Sequence, residues 1–129
     1  MNKSFKPDGY NSVSPYFIIE GAQRMIDFLE KLFNAKELRR FNTQDGKIMH
    51  AEIQIDDSII MLGDASDTYP ANVTVMHVYV PDAEQVYKRA IELGCTPIEQ
   101  PTKKEGDPDI RGSFYDFAGN IWSVGTQSL

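Results

Sequence analysis

The chain has 129 residues, 41% of them hydrophobic and 25% charged, the balance of an ordinary folded domain rather than of a disordered or fibrous chain. A net charge of −6, with no basic cluster beyond Arg39-Arg40 and Lys103-Lys104, excludes the electrostatic footprint of nucleic-acid binding. The longest apolar runs, residues 16–19 and 59–62, fall far short of the roughly 20 residues that cross a bilayer, so no membrane span is expected.

Residues 1–10 hold neither an apolar stretch nor a small-residue cleavage site, so they do not read as a secretory signal and a cytoplasmic location is expected. A strand is predicted at 16–20. A helix follows, because Ala22, Met25, Ile26, Leu29, Leu32 and Phe33 recur at the spacing of one helical face, with Asn34 as its stop. Strands are predicted next at 37–41, 47–55 and 58–63, joined by turns at Asp45-Gly46 and Asp56-Asp57. Residues 64–72 form a polar connector. It runs into Asn72-Val73-Thr74, which has the form of a glycosylation site but no meaning in a cytoplasmic protein.

The pattern then repeats. A strand is predicted at 73–80, and a second helix stripe (Ala83, Val86, Tyr87, Ala90, Leu93) copies the first sixty-one residues on. Pro81 precedes it, Asp82 caps it with Gln85 in capping-box position, and Gly94 closes it. The single cysteine, Cys95, reads as an inert, partly buried thiol, since it has no partner for a disulfide or a zinc site. Strands are predicted at 96–100, 110–117 and 120–125, with Gly119 in the last turn. Residues 101–109 read as a long loop, either a lid or binding loop or a solvated excursion.

The fold class is therefore α+β. One domain spans 1–129 and is built from two βαβββ repeats, 13–63 and 73–126, around the connector 64–72. They are expected to form a mixed-sheet open barrel around a cleft, with helices on its outer face. Ile19 matches Val80 at an offset of sixty-one, and Ile59-Ile60-Met61 matches Ile121-Trp122-Ser123 at sixty-two. Strand alternation places Met49, Ala51, Ile53 and Ile55 under a helix and turns His50, Glu52 and Gln54 towards the cleft, where His77 also points. The candidate ligand-binding positions are Tyr16, Ile18, His50, Glu52, Ile59, Met61, His77, Tyr79 and Ile121, an apolar body with polar tips. The same residues could instead fill a core or a dimer seam. Trp122 alternates with Ile60 and Val124 into the core, and Asp116 and Gly119 serve the final turn.

Chemistry is less legible. Candidate catalytic residues are His50, Glu52 and His77, which also make a conceivable displaced two-histidine, one-carboxylate metal site. No nucleophile elbow, G-x-G-x-x-G or Walker sequence is present, so no nucleotide cofactor is expected and whether the protein is an enzyme stays open.

Four segments carry a family resemblance: Ser14-Pro15-Tyr16-Phe17-Ile18-Ile19, leading to Leu32-Phe33-Asn34-Ala35; Asp45-Gly46-Lys47-Ile48-Met49-His50-Ala51-Glu52-Ile53; His77-Val78-Tyr79-Val80-Pro81-Asp82; and Tyr115-Asp116-Phe117-Ala118-Gly119-Asn120-Ile121-Trp122-Ser123. In order and spacing they resemble the vicinal-oxygen-chelate superfamily of glyoxalases, bleomycin-resistance proteins and extradiol dioxygenases, and in wording its PhnB-like branch. The resemblance implies paired βαβββ units and a divalent metal whose four ligand positions fall on Ser14, Met61, Val75 and Ser123. None of these is a good ligand for a hard cation, so no metal or other cofactor is expected. The reading this favours is a metal-free, drug-sequestering module for a small organic molecule, as in bleomycin resistance. The alternatives are a divalent-metal lyase, isomerase or dioxygenase with relocated ligands, and a dimeric interaction domain. A homodimer is implied by the resemblance, with no nucleic-acid or membrane partner.

Overall fold

The computed structural model describes residues 5–128. The chain divides into two compact units, residues 1–72 and 73–129. The first runs β1 (Tyr16–Ile19), α1 (Ala22–Phe33), β2 (Lys36–Asn42), β3 (Ile48–Ile55) and β4 (Ser58–Asp64). Its sheet has the order β1-β4-β3-β2, with β1 parallel to β4 and the other pairs antiparallel. The second runs β5 (Val75–Tyr79), α2 (Ala83–Glu92), β6 (Thr96–Lys103), β7 (Asp109–Tyr115) and β8 (Ile121–Gln127), in the same order, β5-β8-β7-β6. The α+β reading and the βαβββ repeat therefore hold. Each mixed sheet is open, and no strand pairing among the described residues closes either into a barrel.

Each helix covers one face of its own sheet. In the first unit Phe17 and Ile19 of β1, Met25, Ile26, Leu29 and Leu32 of α1, and Ala51, Ile53 and Leu62 of the sheet are buried together. In the second, Ala83 and Ala90 of α2 and Phe114, Trp122 and Val124 of the sheet are buried, and the Tyr87 ring packs against Phe114. Burying one such large side chain contributes about 1.5–3 kcal/mol. Trp122 is fully buried, and its indole N–H donates to Asp116 Oδ2 at 2.8 Å. Asp116 also accepts from the backbone of Ala118 and Asn120 at 2.8 and 3.0 Å, so it orders the turn that Gly119 completes at φ 87.

Helix starts repeat as well. Gly21 offers α1 no side-chain cap, and the N–H of Ala22 donates instead to Asp64 Oδ1 at 2.9 Å, from the end of β4. In the second unit the N–H of Ala83 donates to Thr126 Oγ1 at 2.8 Å, from the corresponding end of β8. Asp82 adds the expected cap, accepting from the N–H of Gln85 at 3.1 Å. Asn34 ends α1 in the left-handed conformation, φ 56, as its place after the stripe suggested.

Two sequence expectations change. Residues 101–109 are not a long loop: β6 runs on to Lys103 and β7 starts at Asp109. As the edge strand, β6 tolerates Pro97 and Pro101, whose missing N–H groups cost no ladder bond. The register slips between Glu99 and Thr102, and Gly112 of β7 leaves room for the Pro101 ring. Met49 is not core. Phe41 pairs with His50 while Asn42 pairs with Ile48, so Met49 is the extra residue of a bulge; it is 60% exposed, and Ile48 is buried instead. Among the described residues no helix is long and apolar enough to cross a membrane.

Candidate functional site

Because β1 sends Phe17 and Ile19 into the core, Tyr16 and Ile18 stand on the sheet face away from α1. On β3, two residues apart and on that same face, stand His50 and Glu52. β4 separates β1 from β3, and its residue between Tyr16 and His50 is Gly63. A Cβ there would lie 2.7 Å from the Met49 carbonyl oxygen, so the Met49 backbone requires glycine, and the Tyr16 hydroxyl passes over that position at an ordinary contact distance of 3.5 Å. Tyr16 Oη lies 2.9 Å from His50 Nδ1. On the other side of the ring, His50 Nε2 lies 2.9 Å from Glu52 Oε2.

Glu52 is 5% exposed, and both its oxygens are engaged. Oε1 accepts from Tyr10 Oη at 2.5 Å and from Arg39 Nε at 2.8 Å, Arg39 being its cross-strand partner on β2. Burial alone would push the carboxyl up. The hydrogen bonds from Tyr10, His50 and Arg39, with the Arg39 charge, outweigh it and hold Glu52 below its usual range. The ionised carboxylate can only accept, so His50 Nε2 carries a hydrogen and donates to it. Burial, then Tyr69 and Glu52, raise the Tyr16 phenol, which keeps its proton.

Tyr16, Ile18, Met49 and His50 form one wall of a cavity of about 750 Å³. The connector forms another through Ser66, Thr68, Tyr69 and Asn72, with Thr43 and Lys47 at the β2–β3 turn. The connector is fastened to the outer edge of β1. Asn72 Oδ1 accepts from the N–H of Ile18 at 3.1 Å, its Nδ2 donates to the Tyr16 carbonyl at 3.2 Å, and its own N–H donates to the Ile18 carbonyl at 2.9 Å. Asn72 thus stands in for a neighbouring strand. Its place in a glycosylation-like triplet gave no hint of this.

The second unit builds the same crossing from different residues. Tyr16 pairs in register with Met61 and His77 with Ser123, so His77 occupies on β5 the place of Tyr16 on β1. Arg111 of β7 reaches His77 across Gly125 of β8, Nη1 to Nε2 at 2.6 Å. Arg111 also donates to Asp109 at 2.6 Å and Asp107 at 3.1 Å, and Tyr79 Oη donates to Asp109 at 2.6 Å. Burial and the Arg111 charge, opposed by Asp109, lower His77, which therefore accepts as a neutral ring.

Of the positions expected to bind ligand, Tyr16, Ile18 and His50 line the cavity, and Glu52 sits behind His50. Ile59 is buried, its backbone held on both sides by the Asn11 amide, and Met61 is half-buried beside Tyr16 and Glu52; neither is in the cavity wall. His77 and Tyr79 belong to the second unit's ion-paired cluster, and Ile121 pairs with Val75 on β8. Tyr10, Arg39 and the connector residues escaped sequence reasoning. Arg39 had figured there only as half of the Arg39-Arg40 pair, and Asn72 only in its glycosylation-like triplet.

The positions that correspond to metal ligands in the resemblance do not fit a hard divalent cation. Ser14 Oγ already accepts from Asn11 at 2.7 Å, Met61 offers a soft thioether, Val75 offers no donor and is 72% exposed, and Ser123 offers a neutral hydroxyl. Among the described residues no group of three or more His, Cys, Asp or Glu side chains is placed to hold a metal ion.

Comparison with known proteins supplies the relationship. An uncharacterized protein of Mycobacterium bovis is 30% identical over 127 residues, covering 88% of this chain and 82% of its own. The fosfomycin resistance protein FosX from Listeria monocytogenes, complexed with Mn(II) and sulfate ion, superposes with a TM-score of 0.71 at 15% identity, over 92% of this chain and 91% of its own. A PhnB protein from Bacillus cereus gives 0.70 at 12% identity, over 90% and 99%. At such identities the structural likeness is one of fold. The family model described as Glyoxalase/Bleomycin resistance protein/Dioxygenase superfamily matches residues 16–124, and with that match over most of its length the chain belongs to this superfamily.

Proposed function

We propose that this protein captures a small organic molecule, without a metal, in the cavity between β1, β3 and the connector. The observation that carries this reading is the cavity itself. Its volume of about 750 Å³ falls in the roughly 300–1,000 Å³ range of small-molecule sites, and Ile18 and Met49 give it an apolar body beside the fixed polar pair Tyr16–His50. The donor chemistry at the family's metal positions supports the metal-free part, as does the engagement of both Glu52 oxygens. The fosfomycin resistance protein named above, itself complexed with Mn(II), keeps the metal-dependent alternative a concrete one to test. Self-association forms part of the same proposal, supported by edge strand β5, which leaves Val75 and Tyr79 72% and 60% exposed.

A thermal-shift panel of drug-like organic molecules and divalent metals tests it. A molecule present at a hundred times its dissociation constant stabilises the native state by about 2.7 kcal/mol. At least one organic molecule should do so in the presence of a chelator, and Ile18→Trp, which fills the cavity, should abolish the shift. A stoichiometric metal that stabilises the protein and is lost on replacing His50 would overturn the reading. Sedimentation of the free protein as a monomer would remove the dimer from it.

A further inference from the structure

Hydrogen placement along Tyr16, His50 and Glu52 fixes a polarity that the ligand must match. Glu52 is ionised and accepts at both oxygens, so the one hydrogen of a neutral His50 ring sits on Nε2. Nδ1 then offers a lone pair. The phenol hydrogen of Tyr16, 2.9 Å away, is its only donor and is spent there. What remains on Tyr16 Oη is acceptor capacity. Because the chain ends on a carboxylate, each bond polarises the next and electron density shifts towards Oη.

The neighbouring charges do not reverse this. Asp64 lines the cavity, but its two oxygens accept from the N–H groups of Ala22 and Ile48 at 2.9 and 2.8 Å. Arg39 is held by Glu52, behind His50. Lys47 lies at the β2–β3 turn, and Ile18 and Met49 make the adjoining wall apolar.

We propose that Tyr16 Oη is the specificity-determining acceptor of this cavity, and that its ligand is an apolar or aromatic molecule presenting an O–H or N–H donor. Ethers, esters and other acceptor-only molecules of the same shape meet lone pair with lone pair and are rejected. Tyr16 touches the ligand; His50 and Glu52 are positioning residues that fix which way the phenol hydrogen points. The inference rests on the capture reading above.

Naphthol and its methyl ether form a matched pair for the test, measured by titration calorimetry. Wild-type protein should bind naphthol about tenfold more tightly than the ether, equivalent to about 1.4 kcal/mol. Tyr16→Phe removes the acceptor, so naphthol should weaken, the ether should gain and the preference should vanish, with an unchanged circular-dichroism spectrum checking that the variant is folded. His50→Leu frees the Tyr16 hydrogen to point into the cavity, so the ether should gain and the preference should shrink although Tyr16 is intact. Equal binding of the pair by wild type, or a preference for the ether, overturns the polarity and leaves capture standing. Binding of neither overturns the donor-bearing aromatic ligand proposed here and leaves capture to the thermal-shift panel.

Discussion

Glu52 is a carboxylate that stays charged at 5% exposure because three donors converge on it. With its folded pKa depressed, its contribution to stability is present above the unfolded value of about 4.3 and is lost as pH falls through the lowered folded value. Glu52→Gln should therefore cost about 1–3 kcal/mol at neutral pH and flatten the acid limb of stability below about pH 5, read from urea midpoints against pH. Trp122→Phe removes the indole donor and leaves Asp116 one partner short in the core, at a cost of about 2 kcal/mol by the same measurement. Cys95, pushed up to about 11 by burial with Asp116 adding to it, should resist alkylation by iodoacetamide in the folded protein and react on denaturation. Sequence reasoning reached the positions of Trp122 and Cys95 because burial follows from period and residue type. It reached His50 and Glu52 by alternation but not their partner Tyr10, since no local pattern links residues 10 and 52.

Among the elements, the helices were the most legible, because an apolar stripe and its caps are local. Edges and bulges were not. Nothing in the sequence marks Met49 as the extra residue of β3, and the prolines of β6 mimicked a loop, because proline is excluded from central strands and not from edges. The connector read as polar spacer, yet Asn72 ties it to β1. Asn72→Ala should destabilise the protein by about 1–2 kcal/mol and weaken ligand capture by loosening that cavity wall. The two fourth-strand glycines differ in a measurable way. A Cβ at Gly63 meets the Met49 backbone at 2.7 Å, whereas one at Gly125 meets the His77 ring at 3.0 Å. Gly63→Ala should cost about 2–3 kcal/mol, and Gly125→Ala clearly less, since a side chain swings aside more readily than a strand; denaturant midpoints compare the two.

Over the whole molecule the duplication was readable to the residue, because the spacing of sixty-one, then sixty-two, survives in both sheets: Ala22 and Ala83 begin the helices, and Asp64 and Thr126 receive their first N–H groups. What each half does with that frame was not readable, since it depends on contacts between strands far apart in sequence. The net charge of −6 and pI of about 4.8 predict minimal solubility near pH 4.8 and good dispersion at neutral pH, which light scattering across pH checks.

The glycine crossing has an evolutionary consequence. In each half a polar pair crosses the fourth strand over a glycine, tyrosine and histidine over Gly63, histidine and arginine over Gly125. After duplication, the residues on either side could drift independently while the meeting place stayed put. The two halves of this chain thus keep one backbone frame and fill it with two different polar pairs.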